Sequence, residues 1–363
     1  MPPLSLLIKP VSGLCNMRCR YCFYSDVMSR REAGVREAMS LETLEALVRR
    51  AMAYAEGHVG FAFQGGEPTL AGLDFYRALI GFQKKYNTRG IRVDNSLQTN
   101  ALDLSDEMID FFAREKFLIG ASLDGDRATH DALRADAGGA PTFDRIRRTL
   151  ERLRERDVAF NVLCVVSEPV AARPREVFEA LEPYGFIQYI ACLDDFNGGA
   201  RPFSLTGASY LEFLRTTLAL YLDRIRKGRY VSVRNLDNYV RMLLGDEPEN
   251  CGMRGRCGQY YLVESDGEVY PCDFYVLDEW RMGNIREASF FSFERSETGA
   301  RFRAESLPVP DKCGTCRWYR LCRNGCKRER TAPEDVNRFC ECYREFFPYA
   351  LPLLQEAARA FAK

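Results

Sequence analysis

The stretch LSLLIKPVSGLCNMRCRYCFY, residues 4–24, joins an apolar run to three closely spaced cysteines. The apolar run is typical of a buried β-strand. Cys15, Cys19 and Cys22 follow it with the spacing C-x3-C-x2-C. Closed metal sites built from cysteine normally use four thiolates. Three thiolates on one loop therefore indicate a four-iron cluster with one iron open to an external molecule, or a zinc site that a distant Cys or His completes.

The alternation of strand and helix patterns continues outward from this stretch to about residue 200. Helical patterns such as 40–55, where Ser40 is a candidate N-cap, and 143–156 separate the apolar runs. Strands that are apolar on both faces and separated by helices are typical of parallel βαβ units. We therefore predict an α/β fold, a partial (βα)6 TIM-like barrel followed by a small cysteine-rich domain. The six predicted strands are 5–10, 58–65, 91–98, 117–125, 158–167 and 186–194.

Several polar motifs fall where these predicted strands end. They are QGGEP (64–68), SLQTN (96–100), SLDG (122–125) and CLDD (192–195). In barrels of this kind, chemistry collects where strands end and helices begin. The motifs and the cysteine loop are therefore expected to meet in one site.

The composition of the chain limits the classes of protein to which it can belong. Lys plus Arg and Asp plus Glu are 51 each, so the zero net charge gives no broad reason to bind nucleic acid or an anionic membrane. No run of 18 apolar residues appears, and the first ten residues lack the basic segment of a signal peptide. We expect a cytoplasmic protein, in which 14 cysteines favour metal or redox chemistry over disulfides. With two histidines in the chain, most metal ligands must be thiolates.

The pattern changes after residue 200. A helix is predicted at 208–227, and nine of the 14 cysteines lie between residues 251 and 342. YLVESDGEVYPC (261–272) predicts a hairpin with Asp266-Gly267 at its turn. FFPYALPLLQEAARAFAK (346–363) predicts an amphipathic helix.

We accordingly expect three segments: 1–230 as the partial barrel, 231–345 as the cysteine-rich domain, and 346–363 as a helix that packs on the body. The middle segment is expected to be held by metal rather than by a large apolar core. One or two zinc ribbons are the alternative for it, because C-x2-C alone is typical of zinc sites.

The cysteine loop, with Tyr21 just before its last cysteine, resembles the signature of radical S-adenosylmethionine (SAM) enzymes. In that family the open iron binds SAM, which an electron from the cluster cleaves to a 5′-deoxyadenosyl radical. Gly65-Gly66-Glu67-Pro68 resembles the family's GGEP motif, which holds the SAM amino group. The resemblance further implies that Ser122 and Arg134 contact the SAM ribose and carboxylate, and that Tyr21 and Leu193 flank the adenine.

The later cysteines resemble the SPASM domain, which carries auxiliary clusters in peptide-modifying radical SAM enzymes. The resemblance implies two fully protein-ligated four-iron clusters, which makes three with the first. It leaves Cys164 and Cys192 as buried thiols and prefers Cys340 over Cys342 as a ligand. One auxiliary cluster is assigned to Cys251, Cys257, Cys272 and Cys326, and the other to Cys313, Cys316, Cys322 and Cys340.

Within this group, the whole chain is similar to the anaerobic sulfatase-maturating enzymes. Such enzymes oxidise a Cys or Ser of a nascent sulfatase to Cα-formylglycine after removal of a hydrogen from Cβ. Asp273 occupies the position of the family's proposed base, directly after Cys272. The resemblance also implies substrate contacts by Tyr24, Gln64 and Arg234. Where this family has a further cysteine, this chain has Gln259, which leaves the choice of substrate open.

The implied partners are an unfolded sulfatase or a sulfatase-derived peptide, and an electron donor such as flavodoxin or ferredoxin. A SPASM enzyme that crosslinks a ribosomal peptide is the second hypothesis. Such enzymes often begin with a leader-binding domain, for which a first strand at residue 4 leaves no room. A non-catalytic zinc or iron–sulfur scaffold is the third hypothesis.

Overall fold

The computed structural model describes residues 2–32, 37–196, 198–199 and 201–361. The last two residues of the predicted terminal helix lie outside these ranges. The chain forms two compact units. Unit 1 comprises Met1–Ser122, Arg134–Phe160 and Gly258–Phe302, and unit 2 comprises Leu123–Leu133, Asn161–Cys257 and Arg303–Lys363. The expected boundaries at residues 230 and 345 stay a prediction.

The described elements follow one another along the chain as follows. The strands are β1 (Leu4–Ile8), β2 (Met17–Cys19), β3 (His58–Phe63), β4 (Arg92–Thr99), β5 (Leu118–Ser122), β6 (Arg134–Asp136), β7 (Phe160–Val166), β8 (Phe186–Ala191), β9 (Ser232–Val233), β10 (Tyr261–Val263), β11 (Glu268–Tyr270) and β12 (Gly283–Asn284). The α-helices are α1 (Phe23–Ser29), α2 (Leu41–Tyr54), α3 (Leu73–Tyr86), α4 (Asp106–Arg114), α5 (Arg127–Leu133), α6 (Phe143–Glu155), α7 (Glu168–Ala171), α8 (Pro174–Leu181), α9 (Gly207–Arg226), α10 (Arg234–Leu243), α11 (Phe290–Glu294), α12 (Glu297–Ala304), α13 (Asp311–Gly314), α14 (Tyr319–Cys322) and α15 (Cys340–Phe361). Short 3₁₀ helices are Pro68–Ala71, Glu182–Tyr184, Cys251–Met253, Asp273–Tyr275, Asp278–Trp280 and Lys327–Glu329.

Unit 1 is built on a sheet in the order β12-β11-β10-β1-β3-β4-β5. The five strands from β10 to β5 run parallel, so their carboxyl ends meet at one edge. Alternate residues of β3 are buried, and the Phe63 ring packs edge-on against Phe75 and Tyr76 of α3. The intervening positions are half-buried, which differs from the expectation of strands apolar on both faces. Ser40 caps α2 as predicted, accepting a hydrogen bond from Thr43 N at 3.1 Å.

The predicted hairpin is confirmed and extends this sheet. β10 pairs in parallel with β1, and β11 then turns back antiparallel to β10. Gly267 closes the turn with a φ of 87° and donates its N–H to the Glu264 carbonyl at 2.9 Å. Because β10 lies beside β1, the residues that follow each of these strands are brought to the same edge.

Unit 2 contains the parallel strands β7, β8 and β9, and the long helices α9 and α15. The terminal helix begins at Cys340 rather than at residue 346 and contains Pro348 and Pro352. Its buried face includes Phe346, Phe347 and Leu354. Among the described residues, no helix is both long and apolar enough to cross a membrane.

Candidate active site

Two short elements shape the loop that carries the first three cysteines. β2 ends at Cys19, and α1 begins directly after Cys22. The Cys15 thiol accepts weak hydrogen bonds from Met17 N at 3.4 Å and from Asn100 Nδ2 at 3.8 Å. Cys15 and Cys19 are half-buried, whereas Cys22 is exposed. Three thiols on a loop that is open on one side fit a cluster whose fourth iron is left for an external ligand.

Glu67 of the GGEP motif is fully buried and accepts four hydrogen bonds. The Thr69 N–H and hydroxyl donate at 3.0 and 2.7 Å, the Thr99 hydroxyl at 2.8 Å and the Asn100 N–H at 2.7 Å. Burial raises the pKa of the Glu67 carboxyl, although each donor acts in the opposite direction. The carboxylate therefore ties the GGEP turn to the end of β4.

Gly66 packs directly on the backbone that precedes Cys15. Its N–H donates to the Ser12 carbonyl at 2.9 Å, and a Cβ at this position would lie 2.0 Å from the Leu14 carbonyl oxygen. Glycine is required for so close an approach of two backbones. The GGEP turn and the cysteine loop are thus held against each other.

Gly66→Ala should separate the turn from the loop at a cost of about 1–3 kcal/mol, because the added methyl meets backbone that cannot rotate away. We expect SAM binding to weaken by about tenfold or more in titration calorimetry of the reconstituted protein. Gly81→Ala is the matched control: its Cβ meets nothing within 4 Å, and it lies inside α3. That change should stabilise the protein by about 0.5–1 kcal/mol. Unchanged SAM affinity in Gly66→Ala would contradict the assigned role of the turn.

The predicted SAM contacts Tyr21 and Arg134 meet beside the cysteine loop. β2 pairs with β6, so Cys19 lies opposite Arg134. Arg134 Nη1 donates to the Tyr21 hydroxyl at 2.7 Å, and both side chains are buried. Ser122 ends β5, where its hydroxyl accepts a hydrogen bond from Gln98 at 3.1 Å. Tyr21, Ser122 and Arg134, which the resemblance implies as SAM contacts, therefore lie on or beside the strands at this edge of unit 1.

Leu193 lies in unit 2, in the segment that follows β8. Arg338 donates to the Cys192 carbonyl and to the Asp194 carboxylate. Arg328 donates to the Asp194 carbonyl. The two arginines therefore fix the backbone on both sides of Leu193.

Asp273 is placed next to two groups that the sequence analysis did not identify. Its Oδ1 lies 2.6 Å from Nζ of Lys9, which directly follows β1. The Tyr260 hydroxyl accepts from the Asp273 N–H at 3.3 Å and lies 3.3 Å from Sγ of Cys272. Phe274, the next residue, packs edge-on against Phe23, the residue after Cys22 (centroid distance 5.0 Å). The candidate base and the cysteine loop therefore share one packed region of unit 1.

A second buried ion pair lies nearby. Arg31 Nη1 contacts Glu264 Oε1 at 2.9 Å and the Tyr24 hydroxyl at 3.0 Å, and Tyr24 in turn donates to Glu264. Burial opposes ionisation of Glu264, but Lys9, Arg31 and Tyr24 together lower the pKa of this carboxyl. The hydroxyl of Tyr24 is thus already engaged, and its ring lies against Nζ of Lys9, which is 3.3 Å from the ring centroid. Two features of the sequence could have identified these buried charges. Lys9 directly follows an apolar strand, and Glu264 lies in the predicted hairpin.

The other two predicted substrate contacts belong to different units. Gln64 follows β3 in unit 1, where its N–H donates to the Ile8 carbonyl at 2.9 Å. Arg234 begins α10 in unit 2 and donates to Gln188 at 2.8 Å. Both are partly exposed, as a residue that meets a peptide must be.

Four cysteines of unit 2 surround one cavity. Cys340 is among them, whereas Cys342 is buried near Gly207 of α9. The cavity is lined by the thiols together with aromatic and basic side chains: Cys313, Cys316, Cys322, Cys340, Trp318, Tyr319, Tyr343, Phe347, Lys312, Arg344 and Asn324. The placement of these thiols fits a single enclosed group.

The remaining cysteines are distributed as follows. Cys251, Cys257 and Cys326 are half-buried in unit 2, and Cys272 is half-buried in unit 1. Cys164 and Cys192 are buried, as expected for thiols without ligand roles. Within the described ranges, no three His, Cys, Asp or Glu side chains converge closely enough to hold a single metal ion.

Comparison with known families agrees with this arrangement. Residues 10–185 match the family model of the Radical SAM superfamily, and residues 251–317 match an iron–sulfur cluster-binding domain, SPASM. The predicted α/β fold, with a radical SAM domain followed by a SPASM domain, is therefore confirmed. The predicted use of SAM and of a four-iron cluster follows from the same families.

Relatives and solved structures match over the full length. The cysteine-type anaerobic sulfatase-maturating enzyme of Clostridium perfringens is 40% identical, and the alignment covers 99% of both chains. The serine-type enzyme of Klebsiella aerogenes is 29% identical, covering 98% of this chain and 87% of that enzyme. A solved structure of anSMEcpe with bound AdoMet and Cp18Cys peptide superposes with a TM-score of 0.95 at 38% identity, covering 99% of this chain and 100% of that one. The chain therefore belongs to the anaerobic sulfatase-maturating enzymes of the radical SAM superfamily.

Proposed function

We propose that this protein is a sulfatase maturase that uses SAM to oxidise an active-site Cys or Ser of a sulfatase to Cα-formylglycine. The observation that carries the proposal is the full-length match to a cysteine-type maturating enzyme, together with the fold shared with a peptide-bound structure. The substrate is an unfolded sulfatase or a peptide derived from it. The segments 1–230, 231–345 and 346–363 are proposed as barrel, SPASM domain and terminal helix.

Three four-iron clusters are proposed as resident cofactors, in addition to SAM. Cys15, Cys19 and Cys22 hold the cluster that binds SAM, with Tyr21, Gly66, Glu67, Ser122, Arg134 and Leu193 around the SAM molecule. The auxiliary clusters take Cys251, Cys257, Cys272 and Cys326, and Cys313, Cys316, Cys322 and Cys340. The cavity between the last four thiols supports this division. Flavodoxin or ferredoxin is the proposed electron donor; nucleic acid and membrane are not proposed partners.

The bound SAM and its cluster supply the one-electron chemistry that removes a hydrogen from Cβ of the target residue. Oxidation of Cβ then releases one more electron, which the auxiliary cluster held by Cys251, Cys257, Cys272 and Cys326 would accept, and water would replace the sulfur of a thioaldehyde. The chain itself must accept the proton that the target thiol or hydroxyl loses. That transfer needs a carboxylate within hydrogen-bond reach of the thiol. Asp273 is proposed for this role because its side chain keeps 10% exposure, so that a substrate can reach it. Its ion-pair partner Lys9 is only 1% exposed. Tyr24, Gln64 and Arg234 are proposed to hold the peptide.

Cysteine is proposed as the preferred target, because the chain is more similar to the cysteine-type enzyme than to the serine-type enzyme. Under anaerobic conditions with SAM and a reductant, a sulfatase-derived peptide with Cys at the target should yield formylglycine, which mass spectrometry detects. A matched peptide with Ser should react about tenfold more slowly or less, and one with Ala should yield no formylglycine. Equal or faster reaction of the Ser peptide would overturn the preference. Lack of product from both peptides would overturn the proposed function.

A further inference from the structure

Lys9 is buried deep in unit 1 and is 1% exposed. Its backbone N–H is bound to the Val263 carbonyl at 2.9 Å, at the end of the β1–β10 pairing. An unpaired ammonium at such a position would cost several kcal/mol. The groups around Nζ therefore indicate why a lysine is present. They are Asp273 Oδ1 at 2.6 Å and the Tyr24 ring, whose centroid is 3.3 Å away.

The neighbouring carboxylate has its own cation. Glu264 is bound by Arg31 at 2.9 Å and by the Tyr24 hydroxyl. Two cations and two carboxylates thus form a buried set without net charge. Lys9 contacts Asp273 directly and also helps Arg31 to lower the pKa of Glu264. The Tyr24 ring confines the ammonium from one side. Nζ of Lys9 consequently has a fixed position from which to hold the carboxylate.

The carboxylate of Asp273 is held at one oxygen. Oδ1 is buried against Lys9, while the side chain as a whole keeps 10% exposure. The backbone is fixed separately, since the Asp273 N–H donates to the Tyr260 hydroxyl at 3.3 Å. Asp273 begins a single-turn 3₁₀ helix, which by itself constrains side-chain torsions little. The ion pair with Lys9 is therefore the contact that sets the direction of the second oxygen, Oδ2.

We propose that Lys9 is a positioning residue, which anchors Oδ1 of Asp273 so that Oδ2 is presented to the thiol or hydroxyl of the substrate peptide. This inference rests on the proposed function, because it takes Asp273 as the group that receives the proton. According to this inference, Lys9, which directly follows β1, contributes to the reaction without touching the substrate. A displacement of about 1 Å at a reacting group can reduce a rate about 10²-fold.

Lys9→Met removes the ammonium and keeps an unbranched side chain of similar length. We expect kcat for formylglycine formation to fall about 10²-fold, with the KM for the peptide changed by less than about threefold. Iron content and SAM cleavage should match those of the unchanged protein. Lys85→Met is the control, because Lys85 also pairs with a carboxylate (Glu45, 2.7 Å) but is exposed. A raised KM with unchanged kcat would overturn the inference, because it would place Lys9 in peptide binding.

The double variant Lys9→Met/Asp273→Asn separates positioning from a general structural role. If Lys9 acts through Asp273, the double variant should be as active as Asp273→Asn alone. A further loss in the double variant would overturn the inference. The double variant can be compared with Asp273→Asn even if Lys9→Met alone fails to fold. It replaces both charged residues, so neither is left buried without its partner. Full activity of Asp273→Asn would instead contradict the base proposed for Asp273, while an impaired Asp273→Asn with an unimpaired Lys9→Met would refute only the role of Lys9.

Discussion

Replacing Cys15, Cys19 and Cys22 together with alanine should abolish SAM cleavage while leaving about eight of about twelve irons bound. The three thiols share one loop, and the other cysteines of the chain lie outside that loop in the sequence. The two proposed auxiliary sets use other cysteines, four of which line a cavity in unit 2. Loss of one cluster should therefore leave the other two in place. Iron analysis of anaerobically purified protein and chromatography of 5′-deoxyadenosine measure the two effects.

Cys164→Ala and Cys192→Ala serve as controls, since both thiols are buried and neither belongs to a proposed ligand set. Each should keep all of the iron and the full rate of SAM cleavage. If the triple variant still cleaved SAM, the site at the cysteine loop would be wrongly assigned. If it lost nearly all of its iron, the auxiliary clusters could not be independent of the first. Zinc in place of iron in the unchanged protein would favour the scaffold hypothesis.

The repeating hydrophobic pattern accounts for the part of the fold that was predicted. Each of the six predicted strands overlaps an observed strand, because the apolar runs from which they were predicted supply buried strand positions, such as Val59, Phe61 and Phe63 of β3. The hairpin was predicted from YLVESDGEVYPC with Asp266-Gly267 at its turn, and Gly267 supplies the positive φ of that turn. The ribbon of β2 and β6 was missed, because three-residue strands are too short to show a period.

The candidate site was only partly predictable for a different reason. Motifs such as GGEP can be recognised in the sequence because their residues are adjacent in the chain. The pairs of Lys9 with Asp273 and of Arg31 with Glu264 join segments that are far apart in sequence, and no local pattern encodes such a pairing. The parallel pairing of β1 with β10 places Lys9, which follows β1, near Glu264, which follows β10. That pairing is a property of the sheet order, which strand patterns do not specify.

The same sheet order connects the proposed proton acceptor with a proposed cluster ligand. Cys272 and Asp273 are adjacent in sequence, and the Tyr260 hydroxyl contacts both, at Sγ of the first and at the N–H of the second. Tyr260 immediately precedes β10, so the hairpin that brings Glu264 to Arg31 also carries this contact. A change in the orientation of β10 would thus move both residues together. Substitution of Asp273 itself is needed to separate their roles.

Asp273→Asn should retain SAM cleavage and lose formylglycine formation by about 10²-fold or more. A positioned base typically contributes a factor of about 10²–10⁴, and an amide cannot accept the proton that a carboxylate accepts. The hydrogen removed from Cβ does not pass through Asp273, so 5′-deoxyadenosine should still form in the presence of peptide. The two products are measured in the same reaction, by chromatography for 5′-deoxyadenosine and by mass spectrometry for formylglycine.

Because Asn leaves Lys9 without its anionic partner, the variant must be shown to fold before its activity is compared. Breaking a buried pair on one side costs about 3–5 kcal/mol, so iron content and thermal unfolding accompany the assay. Glu279→Gln is the matched control, since it neutralises an exposed carboxylate in the same segment and should leave both products unchanged. A normal yield of formylglycine from folded Asp273→Asn would remove this residue as the base. Parallel loss of both products would instead mean that Asp273 supports the SAM site, because proton acceptance alone cannot stop SAM cleavage.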